Sequence, residues 1–523
     1  MHIAIRFACR AFLRNRGIAA LSWLLATSHS LSAATSCENL SQISLEHTQV
    51  ASAQQVAAGA FLPPGVDATK PEANAYKKLP AFCRVVLHTK MAPGSDIPTE
   101  VWLPLEHWNE KFRGQGNGGF AGSFDYRGMA SSLGLNYATA STDTGHTGEG
   151  EESSWALEHP QKVIDFGYRA VHVMTENAKA VIAAFYAQPL SHAYFDSCSD
   201  GGREALMEAQ RFPEDFDGII AGAPAYDWTG FAAQMLRNMQ ALFPDPKNLT
   251  PMFTPDALKG VESAIVAACD IIDGVKDGII DDPRQCRFDV DTLSSLTPAQ
   301  KKALKVIYAP TTNREGEIHP AQPFGGEGQT AGWPTWITGT QTPAAAGQAP
   351  SLRFAFGTGV YKYLVFNNPD WDYSTYDFNN WKKDTALAAS FLNATDTNLQ
   401  PFRNHGGKLI LWHGWADPAL TPLASIRYYE QVVARDPAAA DAFRMFLLPG
   451  VLHCGGGLGP DTADWTAAID NWVEHGQAPE RVIATRTANG AAIMSRPLCP
   501  YPQKAVYSGA GSTNEAKSFV CRR

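Results

Sequence analysis

Along most of the chain, short apolar runs alternate with stretches whose apolar positions recur every three or four residues. Runs at 83–88, 99–104, 137–143, 194–198, 216–223, 408–414 and 443–448 are bounded by turn formers, and a further run begins at 111; they predict strands. Residues 161–186 place Val163, Phe166, Ala170, Met174, Ala178 and Val181 at helical spacing and predict a long helix. Further helices are predicted behind Ser199, at 423–434 and at 462–474. Strands alternating with helices imply an α/β fold, a mostly parallel sheet covered by helices on both faces. From about 226 to 392 the rhythm is lost among Pro, Gly, Asn, Thr and Trp, which predicts a lid domain inserted into the sheet fold. The core then comprises 35–225 and 393–523. The stretches to about 75 and beyond 475 show no clear period and read as an irregular wrap and an irregular tail.

The first 34 residues change the picture. Arg6, Arg10, Arg14 and Arg16 precede a short apolar run at 17–26, and small residues follow at 31–34. This is the pattern of a signal peptide, too short to span a bilayer comfortably. The mature protein is expected to be exported, to the periplasm or beyond it. The chain carries a net charge of -9, and four of its basic residues lie in the leader. An acidic surface argues against nucleic acid or an anionic membrane as partner. Cys9 leaves with the leader; eight cysteines remain, and export predicts four disulfides, with 105 pairings open.

The candidate chemistry begins at Tyr194-Phe195-Asp196-Ser197-Cys198-Ser199-Asp200-Gly201-Gly202-Arg203. A strand, a tight turn at Ser199 and a helix form the layout of a nucleophile elbow. Ser197 stands where glycine is usual. A serine nucleophile needs a base and an orienting acid. Asp417 follows the strand at 408–414, and His453 follows the strand at 443–448. Ser, Asp, His at successive strand ends is the α/β-hydrolase order. His413 is a rival base, but it precedes the acid and is read as ordering that loop. The loop at 114–122 carries Gly114, Gly116, Gly118 and Gly119. It matches a dinucleotide fingerprint by letter, yet no clear helix follows, so an oxyanion loop is the better reading. One cysteine pairing has a local argument. Cys198 precedes the candidate serine and Cys454 follows the candidate histidine, so a shared triad brings them together.

A second constellation lies within the expected lid, at Asp270, Asp273, Asp277, Asp281 and Asp282. Carboxylates at short intervals with two turn glycines suit Ca²⁺, although the spacing is not that of an EF-hand. A solvated acidic turn is the plain alternative. Cys269 and Cys286 bracket the loop and are placed to staple it.

The Cys-Ser-x-Gly-Gly elbow, the His-Gly-x-x-Asp loop at 413–417, the His453-Cys454 pair and the run at 205–218 together resemble the tannase and feruloyl esterase family, which includes bacterial mono(2-hydroxyethyl) terephthalate hydrolases. The resemblance covers nearly the whole mature chain. It implies Ser199 as nucleophile, His453 as general base and acid, and Asp417 as orienting carboxylate. It implies oxyanion donors from the backbone N–H of Asp200 and of Gly119 or Gly118, with Gly119 preferred. It implies disulfides Cys37–Cys83, Cys198–Cys454, Cys269–Cys286 and Cys499–Cys521. It implies a structural Ca²⁺ held by the side chains of Asp270, Asp273 and Asp277 and the carbonyls of Val275 and Ile279. The substrate it implies is a small aromatic ester. Lid aromatics Trp333, Trp336, Phe354, Phe356, Tyr361, Tyr363, Phe366, Trp371 and Tyr373 are divided between an acyl pocket and plain core. Arg353 falls roughly where the terephthalate branch meets a substrate carboxylate; a solvated surface arginine is the alternative. Leu420, close after Asp417, is placed to border the pocket. Two other readings stay open on the residues alone, a serine peptidase with the same triad order and a non-catalytic Ca²⁺-dependent binding protein.

Overall fold

The apolar runs pair into one twisted sheet in the computed structural model, which describes residues 35–340 and 348–523. The expected signal peptide, residues 1–34, lies outside the described residues. In chain order the first strands are β1 (Thr48–Val56), β2 (Phe82–Thr89), β3 (Ile97–Pro104), β4 (Lys111–Gln115), β5 (Ala138–Thr142), β6 (His192–Cys198) and β7 (Gly218–Gly222). A small hairpin, β8 (Thr311–Asn313) and β9 (Gly316–His319), interrupts before β10 (Lys408–Gly414) and β11 (Phe443–Leu448). The large sheet has nine strands in the order β1-β2-β3-β5-β4-β6-β7-β10-β11. β1, β2 and β3 pair antiparallel, and β3 meets β5 antiparallel. β5, β4, β6, β7, β10 and β11 run parallel. The parallel strands read as near-continuous apolar runs because both faces are covered. Phe112, Phe195 and Leu409 face one core with the helix Ala170–Tyr186. Tyr194, Ile220 and Ile410 face another with the helix Trp465–His475.

Between β7 and β10 the chain leaves the sheet and builds helices such as Trp228–Leu242, Pro255–Cys269 and Leu352–Gly359. They bury their own apolar cluster, which Phe120 and Phe166 join from the sheet side. No described helix is long and apolar enough to cross a membrane.

Four expectations need correction. The N-terminal stretch is not irregular, since β1 pairs along the edge of the sheet with β2; its sequence, Thr-Gln-Val-Ala-Ser-Ala-Gln-Gln-Val, is too polar for alternation to show. The tail is not irregular either. Thr462–Ala463, Val482–Ala488 and Ala491–Leu498 form a three-stranded sheet, and Lys504–Tyr507 pairs with Phe519–Arg522. Much of it faces water, so its apolar signal is weak. A helix does follow the glycine loop, at Tyr126–Gly134. It starts well beyond Gly119, with Asp125 accepting from the Gly128 N–H as its cap, so the loop is not the strand–glycine–helix turn of a dinucleotide site.

The long helix at 161–186 is broken by a π-turn. Pro160–Ile164 runs into a wide turn at Asp165–Arg169 before Ala170–Tyr186 resumes. The wide turn gives up carbonyls that an α-helix would use internally. Phe166 O and Gly167 O accept instead from the guanidinium of Arg203, Phe166 O at 3.0 Å. Arg203 also grips Asp200 through two bonds, at 2.9 and 2.7 Å. Both side chains are wholly buried. Removing one partner of such a pair strands a charge in a dry interior. Arg203→Met is therefore expected to lower the unfolding free energy by about 3–5 kcal/mol, read as a lower urea midpoint. Adding Asp200→Asn to that variant recovers part of the loss.

Candidate active site

β4, β6, β10 and β11 deliver their loops to the same edge of the sheet, the C-terminal ends of the parallel strands. Ser199 stands directly after β6 with φ +67° and ψ -121°. A non-glycine residue in this region is strained, and its surroundings must hold it there. Its N–H donates to Gly222 O at 3.0 Å, and its carbonyl accepts from Ala225 N at 2.9 Å. A Cβ on Gly201 would lie 1.9 Å from Ser197 Oγ. Glycine there is what lets Ser197 replace the usual small residue of the elbow.

His453 Nε2 lies 2.8 Å from Ser199 Oγ, and His453 Nδ1 lies 2.8 Å from Asp417 Oδ2. The three expected residues are therefore joined in one hydrogen-bonded chain. Asp417 is fully buried and also accepts from Ala419 N at 2.7 Å, Leu420 N at 2.9 Å and His413 Nε2 at 3.0 Å. Burial alone would raise its pKa; the two histidines outweigh it and hold the carboxyl well below the usual range. His413, the rival base, sits on the far side of the acid. Its Nδ1 accepts from Ser425 Oγ at 2.8 Å, which fixes Nε2–H toward Asp417.

The glycine loop runs beside the elbow. Gly119 has φ +58°, and a Cβ there would meet Gly150 O at 2.2 Å. Among the described residues no acceptor takes the N–H of Gly118, Gly119 or Asp200. All three residues line the cavity at Ser199. Three side chains with no motif to mark them hold this loop. Glu204, in the elbow helix, accepts from Asn117 N at 2.9 Å, and burial pushes its carboxyl up to about 8. Asn117 donates to Ser123 O and Thr142 O at 2.7 and 2.9 Å. His146 Nε2 donates to Phe120 O at 2.8 Å, with its ring stacked on Trp155 at 3.7 Å.

Disulfides join Cys37–Cys83, Cys198–Cys454, Cys269–Cys286 and Cys499–Cys521. The second links the residue before Ser199 to the residue after His453, with Cα atoms 6.0 Å apart.

A cavity of about 720 Å³ opens at Ser199. On the side of the insertion it is walled by Trp228, Phe231, Met235, Trp336, Leu352 and Phe356. Trp336 packs edge-on against the His453 ring at 4.9 Å, and Leu420 lines the cavity beside it. Of the other aromatics, Trp333, Tyr361 and Tyr373 are core of the insertion, and Phe354, Phe366 and Trp371 pack against them. Arg353 is neither a pocket residue nor a surface one, which corrects both expectations for it. The helix Leu352–Gly359 turns Leu352 and Phe356, one turn apart, toward the cavity. Arg353 points elsewhere, is fully buried, and donates to Gln322 Oε1 at 2.5 Å. Gln322 in turn donates to Asp417 O at 2.7 Å.

In the acidic loop, Asp270 Oδ1 accepts from Gly278 N at 3.0 Å and Asp277 N at 3.2 Å, while Asp273 Oδ1 accepts from Val275 N at 2.8 Å. A small cavity beside them is lined by Asp273, Val275, Asp277, Ile279 and Asp281, with Arg496 also present. Arg496 pairs with Asp277 Oδ2 at 2.5 Å. Burial raises the carboxyls of Asp273 and Asp277. Carboxylate and carbonyl oxygens are the donor chemistry a hard divalent ion takes; here the guanidinium of Arg496 stands among them.

A family profile for tannase and feruloyl esterase matches residues 83–522. The chain belongs to the tannase and feruloyl esterase family. It is 36% identical over 97% of its length to an uncharacterized esterase of Xanthomonas campestris, covering 94% of that protein. It is 31% identical to the mono(2-hydroxyethyl) terephthalate hydrolase of Piscinibacter sakaiensis, over 85% of each chain. The crystal structure of feruloyl esterase B from Aspergillus oryzae superposes with a TM-score of 0.80 at 28% identity, covering 93% of this chain and all of that one. The fold is thus the α/β-hydrolase type of this family, and the chain is a carboxylic ester hydrolase of the tannase and feruloyl esterase type acting on a small-molecule ester. The peptidase and binding-protein readings fall away.

The neutral His146 gives a pH test of the loop. Burial holds it down to about 4, against about 6.5 for an unfolded histidine. The unfolded chain takes up the proton first, so this residue withdraws stability as pH falls from about 6.5 to about 4 and withdraws none above. His146→Gln keeps an N–H for Phe120 O without the titration. The advantage of wild type over this variant is expected to shrink by roughly 3 kcal/mol between pH 7 and pH 4, measured by urea unfolding. A constant difference would remove the assignment.

Proposed function

We propose that the protein is an exported serine esterase that cleaves esters of neutral aromatic acids through an acyl-enzyme. The carrying observation is the unbroken chain from Ser199 Oγ through His453 to Asp417 beside unpaired backbone N–H groups. Ser199 Oγ attacks the ester carbonyl while His453 Nε2 takes its proton. The proton passes to the departing alcohol oxygen, and water then attacks the acyl-enzyme by the same route in reverse. Asp417 keeps the imidazole oriented and steadies its charge. The N–H groups of Asp200 and Gly119 receive the oxyanion. The four disulfides support an oxidising destination.

The insertion acts as the lid, and its apolar wall receives the acyl ring. Among the described residues that wall carries no cation, and Arg353 lies buried behind Asp417, bonded through Nη2 to Gln322. This supports a neutral ring such as ferulate or gallate over terephthalate, whose second carboxylate would be buried without a partner. The loop at 270–279 holds Ca²⁺ through the side chains of Asp270, Asp273 and Asp277 and the carbonyls of Val275 and Ile279. The ion offsets crowded buried charge in the insertion and takes no part in the chemistry.

Steady-state assays on methyl ferulate, methyl gallate, chlorogenate and mono(2-hydroxyethyl) terephthalate test this. The ferulate or gallate ester is expected to give the highest kcat/KM, and Ser199→Ala to lose about four to six orders of magnitude in kcat. A preference for the terephthalate monoester, or full activity in Ser199→Ala, would overturn the reading. Chelation has its own readout. Removing Ca²⁺ is expected to lower the thermal midpoint, and Ca²⁺ at a hundredfold excess over its Kd to restore about 3 kcal/mol. Asp273→Asn is expected to abolish that response.

A further inference from the structure

After β9 the chain passes behind the Asp417 turn as a short strap, Pro320-Ala321-Gln322, and the strap is tied on both sides. Toward the insertion, Gln234 of the helix Trp228–Leu242 donates through Nε2 to Pro320 O at 2.6 Å, and Gln322 N donates to Ile307 O at 3.3 Å. Toward the sheet, Thr421 Oγ1 donates to Ala321 O at 2.7 Å, and Gln322 Nε2 donates to Asp417 O at 2.7 Å. Two neighbouring strap residues thus grip both ends of the turn at 417–421. That turn aims the acid. Asp417 Oδ1 accepts from the N–H groups of Ala419 and Leu420 of the same turn, while Oδ2 faces His453 and His413. Tilting the peptide plane between Asp417 and Pro418 shifts the two N–H donors against the carboxylate, and Oδ2 moves with it. Among the described residues the carbonyl of that plane accepts from Gln322 alone. Gln322 is 2% exposed, so bulk water does not replace the donor if it is lost.

The amide must also be turned the right way. It offers N–H on one side and an oxygen on the other, whereas arginine offers donors only. Arg353 Nη2 meets Gln322 Oε1, so the N–H side is left for Asp417 O. Arg353 is fully buried, its Nε and Nη1 have no hydrogen-bond partner, and among the described residues no carboxylate pairs with it. A guanidinium in a dry interior without an ion pair costs stability, and an apolar side chain would pack the place better. Its presence therefore needs a reason other than packing. A charged donor bonds more strongly than a neutral one, and it polarises the amide so that the bond at the far end is strengthened too.

We propose that Gln322 is a positioning residue for the reaction, holding the peptide plane of Asp417 so that its carboxylate stays aimed at His453, and that Arg353 is the residue that keeps the Gln322 amide turned to donate. Neither side chain touches the substrate. The proposal rests on the serine, histidine and aspartate roles given above.

Three variants of the full mature chain test it, with kcat and KM read on methyl ferulate or methyl gallate, whichever the wild type cleaves faster. Gln322→Glu gives Arg353 an ion pair but takes away the donor to Asp417 O. Its thermal midpoint is expected to stay close to that of wild type, its kcat to fall about tenfold or more, and its KM to stay within about twofold. Labelling of Ser199 by a fluorophosphonate, which needs an activated serine but no ester, should slow by the same factor. Arg353→Met frees the amide to turn and is expected to lower kcat about fivefold to tenfold, whereas Arg353→Lys, which keeps a charged donor, restores most of it. A purely structural role would move the midpoint and not this split. Wild-type kcat and labelling in Gln322→Glu, a loss carried by KM, or equal losses in the two Arg353 variants would overturn the proposal. Should Gln322→Glu fail to fold, the two Arg353 variants decide by the same criteria. The reading beneath it is separated by Ser199→Ala: full activity there would remove the triad and the proposal together, while an inactive Ser199→Ala beside a wild-type-like Gln322→Glu would overturn the proposal alone.

Discussion

A buried guanidinium holds the first turn of the elbow helix in place. Arg203 ties Asp200 on its own helix to two carbonyls freed by the π-turn at Asp165–Arg169, and it stacks over the Phe166 ring at 4.8 Å. Ser199 keeps its strained φ because the residue after it cannot shift. One of the candidate oxyanion donors is the N–H of that same residue. The glycine loop is tied to the same helix through Glu204 and Asn117. Ser199, the N–H of Asp200 and the glycine loop thus share one rigid anchor, and the strain at Ser199 is offset by burial elsewhere.

The parallel core was legible because its strands are buried on both faces and read as unbroken apolar runs. The candidate triad was legible for a related reason. Chemistry gathers at the C-terminal ends of parallel strands, so a serine, an acid and a histidine after successive strands were bound to meet. What stayed hidden had weaker or non-local causes. β1 and the tail strands face water on much of their surface and show no alternation. The π-turn depends on Arg203, more than thirty residues away in sequence. His146 and Glu204 act through a backbone carbonyl and a backbone N–H, contacts that leave no mark on composition. Arg353 shows the limit most plainly: a lone arginine in a stretch rich in aromatics suggests a pocket cation, yet one position along a short helix turns it away from the cavity and behind Asp417.

The insertion and the sheet divide the work of the cavity. The insertion supplies apolar wall and touches the base directly through Trp336. It also reaches the acid from behind, through Gln322 and Arg353. The loops after the sheet strands supply Ser199, His453 and Asp417. A change in the insertion therefore reaches both the cavity wall and the seating of the Asp417 loop.

The Cys198–Cys454 bridge closes a ring of chain that contains the whole insertion. A single backbone cut anywhere inside that ring leaves one covalent molecule. The half bearing the serine and the half bearing the histidine stay joined beside their reactive atoms. The closure spans the longest excursion of the chain from the sheet. In a reducing gel such a molecule would run as two pieces, and without reductant as one.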